Sequence, residues 1–141
     1  MSIAFEKHEI ISLILNFCTD SKGYWKKTLS EHPEATKFID LGYAELNNKN
    51  EKYILNDDGI NEINGYLSCI TKAFIDFMKQ SNGECAFSSI EQWYISIYKL
   101  KNPEMAERIR EYVYDNAHRF GYNIAQMHPH GSSEMWYTLN T

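Results

Sequence analysis

Glycine is scarce in this sequence and is not clustered. Seven glycines are spread over 141 residues, which leaves few for the glycine-rich loops that cradle nucleotide phosphates. The sequence also lacks the GxSxG turn of hydrolases, the HExxH pair of zinc peptidases and a cysteine–histidine pair at a spacing that suggests catalysis. These absences predict a protein that is not an enzyme and that carries no cofactor.

Cysteine is also scarce, and its spacing argues against a disulfide framework. Cys18, Cys69 and Cys85 include no CxxC pair and are odd in number. We therefore expect reduced and mostly buried thiols in a cytoplasmic protein. Cys85 follows Gly83 and Glu84 in a predicted loop, which makes it the candidate for a reactive thiol.

No apolar run is long enough to cross a bilayer. The first run, from Ile10 to Phe17, is preceded by Glu9, is interrupted by Ser12 and Asn16, and is followed by no cleavage site. We expect no secretory signal, no membrane partner and a cytoplasmic location.

Positive charge is in deficit. The 14 lysines and arginines face 19 aspartates and glutamates, for a net charge of −5. An acidic chain is repelled by phosphate backbones unless its cations gather on one face, so the balance favours a protein partner while leaving nucleic acid open. Apolar residues make up 43% of the chain and aromatic residues 14%, which supplies a core for one domain or two very small ones.

A pattern of helices, a glycine and a β-hairpin occurs twice along the chain. Apolar spacing and turn residues predict helices over 5–18 and 34–41, Gly42, and strands over 43–46 and 52–55, then helices over 88–100 and 103–120, Gly121, and strands over 122–127 and 134–139. A helix over 60–80 connects the two halves. The predicted fold class is α+β and predominantly helical, with consecutive units 1–66 and 67–141 that share the central helix, as two domains or one compact domain.

Capping residues predict where the helices begin. Asp57 or Asp58 is the expected N-cap of the central helix, and Ser88 or Ser89 is the expected cap of the next one, where Glu91 lies three residues after Ser88 as in a capping box. Asn102, followed by proline, predicts the start of the last helix. Further expectations are a short helical turn over 24–29, a break over 81–84 and a bend or split at Gly65.

Two segments of the first half carry a pattern found in a known family. Leu41-Gly42-Tyr43 ends a predicted helix, Tyr53-Ile54-Leu55-Asn56 ends a hairpin, and Asp58-Gly59 opens a helix. This pattern resembles the wing of winged-helix regulators, and Phe120-Gly121-Tyr122 gives the second half a similar shape. The resemblance implies a helical bundle with a small β-wing, and a regulator that places one helix in the major groove of DNA. It also leaves a homodimer open, with the helix over 60–80 as the candidate dimerisation segment.

The lysines of the first half provide one set of candidate DNA contacts. Lys22, Lys26 and Lys27 surround Tyr24 and Trp25. Lysines interleaved with aromatic residues can grip phosphates and stack on bases. The alternative is that the tryptophan packs in the core while the lysines remain solvated.

The wing and the last helix provide the other candidate contacts. These are Lys49 in the wing, and Arg108 and Arg110 in the helix. The alternative is a solvated helix face, because Glu104 and Glu107 lie four and three residues before the arginines and can pair with them.

A second functional interpretation follows from the acidic charge. A protein-binding module, such as an immunity protein, an antitoxin or an inhibitor that neutralises a basic partner, would need an acidic patch with exposed aromatic residues beside it. The candidate carboxylates are Glu45, Glu51, Asp57 and Asp58.

Two histidines form the one pattern that suggests a metal. His128 and His130 are separated by a proline, and Glu134 is near. Zinc sites usually take three or four protein ligands, and the spacing fixes no further ligand. We therefore expect a loop at the tip of the second hairpin and no metal site.

Overall fold

The computed structural model describes residues 5–18, 24–26, 33–47, 52–128, 131 and 133–141. The chain divides into two units, Met1–Tyr66 and Leu67–Thr141. In chain order the described elements are α1 (Lys7–Cys18), β1 (Tyr24–Lys26), α2 (Pro33–Asp40), β2 (Ala44–Asn47), β3 (Lys52–Leu55), α3 (Asp57–Gln80), β4 (Glu84–Ala86), α4 (Phe87–Tyr98), α5 (Pro103–Asn116), a 3-10 turn (Ala117–Phe120), β5 (Asn123–Met127) and β6 (Trp136–Asn140). The expected α+β class, with helices predominating and small antiparallel sheets, is confirmed.

The first unit contains a three-stranded antiparallel sheet in the order β1-β3-β2. β3 is the central strand, and its Ile54 lies opposite Tyr24 on one side and Glu45 on the other. The helical turn expected over 24–29 is therefore wrong for Tyr24–Lys26. Aromatic residues favour extended backbone, and the free edge of β3 offers hydrogen bonds that a single helical turn lacks.

The core of the first unit lies between α1 and α2. Ile11 and Ile14 of α1 and Phe38 of α2 are fully buried. The Phe5 and Phe38 rings lie 6.0 Å apart at their centroids. The two helices are also joined by a polar contact, in which the Ser12 hydroxyl donates to a Glu34 carboxylate oxygen over 2.6 Å.

The second unit repeats the sheet order of the first, as β4-β6-β5. The central strand is β6, whose Tyr137 lies opposite Cys85 on one side and Gln126 on the other. A break between helices was expected over 81–84, and its last residue, Glu84, instead begins a strand. This strand buries Cys85, which was expected in a loop.

The core of the second unit is aromatic. Phe74 of α3 stacks on Tyr94 of α4 with ring centroids 5.6 Å apart, and both side chains are fully buried. Ile109 and Val113 of α5 are buried as well. A protein-binding module was expected to expose aromatic residues, but in this unit most of them pack against other side chains.

The helix starts depart in part from the expected caps. α3 begins at Asp57, and the side chain that accepts its Gly59 amide proton, over 2.8 Å, belongs to Asn56. Asp57 and Asp58 were the expected caps, and they are instead the first residues of the helix. The helix also continues through Gly65, where a bend or split was expected.

At α4 the capping box is wrong. The helix begins at Phe87 with Ala86 at the cap position and without a side-chain cap. The Ser88 amide instead donates to Glu134, 46 residues away, over 2.6 Å. The cap of α5 is confirmed, because the Asn102 side chain accepts from the Glu104 amide over 2.9 Å.

Candidate functional site

Arg110 of α5 points into the second unit. Its side chain is only 17% exposed. The guanidinium donates to the Tyr137 hydroxyl and, through Nε, to the Glu107 carbonyl oxygen over 3.1 Å. It also lies 4.9 Å from the centroid of the Phe87 ring. The structure therefore assigns this candidate DNA contact to packing between α5, α4 and β6.

The exposed side of α5 is acidic. Arg108 is exposed there together with four carboxylate residues: Glu104, Glu107, Glu111 and Asp115. Glu107 faces the Arg110 guanidinium at 3.9 Å, the pair expected at a spacing of three. The surface of α5 therefore has more negative than positive charge, which disfavours an approach to phosphates.

Lys37 also pairs with a carboxylate, in the first unit, although its side chain is 48% exposed. It is the one lysine or arginine of α2. Its ammonium lies 3.3 Å from a Glu9 carboxylate oxygen of α1 and 5.7 Å from the centroid of the Phe5 ring. Burial opposes ionisation of Glu9, yet the Glu6 amide and Lys37 together lower the pKa of this carboxyl from 4.5. Lys37 thus neutralises a buried carboxylate and joins α2 to α1.

The structure describes only one of the remaining candidate DNA contacts. Lys26 lies in β1, next to Trp25. Lys22, Lys27 and Lys49 lie outside the described residues. The convergence of lysines around Tyr24 and Trp25 therefore stays a prediction.

Three of the four candidate carboxylates for protein binding lie in the described part of the first unit. Glu45 in β2 and Asp57 and Asp58 in the first turn of α3 are exposed, whereas Glu51 lies outside the described residues. Asp40, at the end of α2, is exposed as well. Asp40 is not among the carboxylates predicted for protein binding.

Backbone contacts hold the segments that carry these carboxylates together. The Asn56 amide donates to the Tyr43 carbonyl oxygen over 3.1 Å, and the Asn56 side chain donates to the Gly42 carbonyl oxygen. Gly59 packs so closely on the Tyr43 carbonyl that an added methyl group would overlap it. The start of α3 is therefore fixed against the turn that follows α2.

Exposed aliphatic residues, rather than aromatic ones, flank the carboxylates. Leu41 is 50% exposed and Ile60 is 45% exposed. Leu41 was expected to be the last residue of the helix over 34–41, but α2 ends at Asp40 and Leu41 lies in the turn that follows. No pattern in the sequence distinguishes these two residues from core residues.

The thiols, a buried tyrosine hydroxyl and a histidine of the described residues lie on separate elements. Cys69 is an exposed thiol on α3, and Cys85 is buried in β4. Burial, followed by the influence of Cys69, raises the pKa of Tyr98 to about 12, so its hydroxyl stays protonated at neutral pH. His128 is exposed directly after β5, and no group of three metal-ligating side chains occurs within the described ranges. His130 lies outside them.

The chain matches no protein-family model, no curated protein and no solved structure. Among the helices that the structure describes, none is long and apolar enough to cross a membrane. Function therefore has to be inferred from two surfaces. One is the exposed side of α5, and the other is the part of the first unit that carries Asp40, Glu45, Asp57 and Asp58.

Proposed function

We propose that the chain is a non-catalytic binding protein, built from two winged-helix-like units, whose partner is a basic protein. Each unit combines helices with a three-stranded sheet in which a hairpin pairs with a short earlier strand, in the same order. This agrees with the helical bundle and small β-wing that the resemblance implies. The resemblance also implies DNA as the partner, and the charge distribution argues for a protein instead.

The position of Arg110 is the observation that most favours a protein partner over DNA. In a DNA-reading helix, arginines face outward to bind phosphates and base edges. Here the Arg110 guanidinium binds Tyr137 and packs on Phe87, which leaves the exposed side of α5 with Arg108 among four carboxylate residues. Lys37 of α2 is likewise held by Glu9. The exposed cations of these two helices, Lys37 and Arg108, are therefore each accompanied by carboxylates.

A DNA-binding regulator is the second candidate. It is favoured by the repeated arrangement of helices and hairpin and by the lysines predicted around Trp25. The two candidates differ in how binding would respond to salt, because protein contacts to phosphates release counterions.

Titration with a mixed pool of duplex DNA at about 50 mM and about 200 mM salt tests the choice. We expect no binding at either concentration. Micromolar binding that weakens steeply with salt would overturn the proposal in favour of a DNA regulator. In that case Arg108→Gln should reduce the salt dependence, because Arg108 is exposed on α5, whereas Arg110, whose side chain is only 17% exposed, should have no separate effect on it.

A further inference from the structure

The first unit exposes two large aliphatic side chains on segments that contact each other. Within the described ranges the exposed large apolar residues are Leu41, Ile60, Ile97 and Met127. Leu41 comes two residues before Tyr43, and Ile60 comes directly after Gly59. Because Gly59 packs on the Tyr43 carbonyl and Asn56 binds both Gly42 and Tyr43, the two residues lie on neighbouring backbone segments, and we take the exposed residues of these segments as one surface.

This surface, defined here as Asp40, Leu41, Glu45, Asp57, Asp58 and Ile60, carries only negative charge. All four of its carboxylates are exposed. The sequence has no lysine, arginine or histidine over 38–47 or over 53–66. A partner that covers Leu41 and Ile60 must therefore also face these carboxylates.

Helix stability explains only part of this charge. Asp57 and Asp58 lie in the first turn of α3, where the helix dipole favours negative groups. Asp40 lies at the last position of α2, where the same dipole disfavours them. Glu45 lies in a strand and gains nothing from either helix. The exposed carboxylates of Asp40 and Glu45, on the segments that carry the exposed aliphatic residues, therefore fit a ligand better than a role in helix stability.

We propose that the Leu41–Ile60 surface binds a cationic, amphipathic segment of a partner protein. The aliphatic side chains of that segment would bury Leu41 and Ile60, while its lysines or arginines would face Asp40, Glu45, Asp57 and Asp58. Nucleic acid does not fit, because its phosphates would meet four carboxylates. This inference rests on the proposed function and names its partner chemistry and its site.

The test uses the full chain, a designed peptide and a charge-matched peptide. The first peptide repeats lysine and leucine at helical spacing, and the second has serine in place of each leucine. Binding is followed by the methyl and amide NMR signals of the protein. We expect the lysine–leucine peptide to shift the signals of Leu41, Ile60 and their neighbours, and to bind at least about tenfold more tightly than the lysine–serine peptide, a difference of about 1.4 kcal/mol.

Variants of exposed residues provide matched controls. Leu41→Ser with Ile60→Ser, or Glu45→Gln with Asp57→Asn and Asp58→Asn, should each weaken peptide binding about tenfold or more. Ile97→Ser with Met127→Ser, which removes exposed apolar groups of the second unit, should leave it unchanged. Circular dichroism checks that each variant remains folded.

Three outcomes would overturn the inference: no binding of the lysine–leucine peptide, equal binding of both peptides, or shifts confined to residues outside this surface. If the shifts map to the exposed side of α5, the protein-binding function stands and only this site is wrong. Salt-dependent binding of duplex DNA in the assay described above would remove the basis of both proposals.

Discussion

The guanidinium of Arg110 donates a hydrogen bond to the hydroxyl of Tyr137, a residue of β6 that lies opposite Cys85 of β4 and Gln126 of β5. This contact joins α5 to the sheet of the second unit. The guanidinium also lies over the Phe87 ring at the start of α4. The sequence predicts Arg110 as a surface residue, but in the structure its side chain packs between α5, α4 and β6.

Replacing this cation should destabilise the second unit. Arg110→Gln removes a charge-assisted hydrogen bond and a cation–π contact, and we expect a loss of about 1–3 kcal/mol in the free energy of unfolding. Urea denaturation followed by circular dichroism measures it. Arg108→Gln, on the exposed side of the same helix, should change stability by no more than about 0.5 kcal/mol. Equal effects of the two substitutions would show that the Arg110 contacts contribute little.

The sequence alone predicts much of this fold because local patterns dominate its helices and hairpins. Apolar spacing locates α1, α2, α4 and α5, and Asn102 marks the start of the last of these. The short strands β1 and β4 were not predicted. Each contains three residues, too few for a periodic signal, and each is held by hydrogen bonds to a strand about 30 or 50 residues further along the chain.

The candidate sites were less predictable, since exposure depends on tertiary contacts. Arg108 and Arg110 are two residues apart and look equivalent in the sequence, but only Arg110 reaches Tyr137. Leu41 looks like a core residue, but the end of α2 at Asp40 leaves it half exposed. Neither outcome is encoded in the spacing of residues along one element.

Two glycines of α3 should respond in opposite ways to alanine. Gly59→Ala should destabilise the first unit by about 1–3 kcal/mol, because the new methyl group would overlap the Tyr43 carbonyl oxygen. Gly65→Ala meets no atom within 4 Å. It should stabilise the chain by about 0.5–1 kcal/mol, because alanine loses less backbone entropy in a helix. Thermal and urea denaturation of both variants test this. A stable Gly59→Ala variant would contradict the close approach of α3 to the turn after α2.

A buried polar pair connects α3 to α5. The Asn116 side chain donates to the Thr71 hydroxyl over 3.1 Å, and this hydroxyl donates to the Leu67 carbonyl oxygen over 2.7 Å. Thr71→Val leaves the Asn116 amide without this acceptor in a buried site, so we expect a loss of about 1–3 kcal/mol. The double variant Thr71→Val with Asn116→Leu should recover part of it. Additive losses in this double-mutant cycle would show that the two side chains do not interact.

The carboxylate of Glu134 should make the second unit sensitive to acid. It accepts hydrogen bonds from the Ser88 side chain and from the Ser88 amide, and these lower the pKa of Glu134 from its ordinary value of 4.5. Because the folded state favours the ionised form, the stabilisation is fully present above pH 4.5 and is lost as the pH falls through the lower, folded-state pKa. Glu134→Gln should therefore lower the unfolding temperature at neutral pH.

The same linkage predicts that the difference between this variant and the parent chain should vanish in acid. Below the folded-state pKa the parent carboxyl is itself neutral, so both proteins lack the ionised hydrogen-bond acceptor at α4. Thermal unfolding measured from pH 7 to pH 3 follows the difference. Glu111→Gln, at an exposed position of α5, controls for the change in net charge. If the Glu134→Gln difference stayed constant across this range, ionisation of Glu134 would not be what stabilises the start of α4.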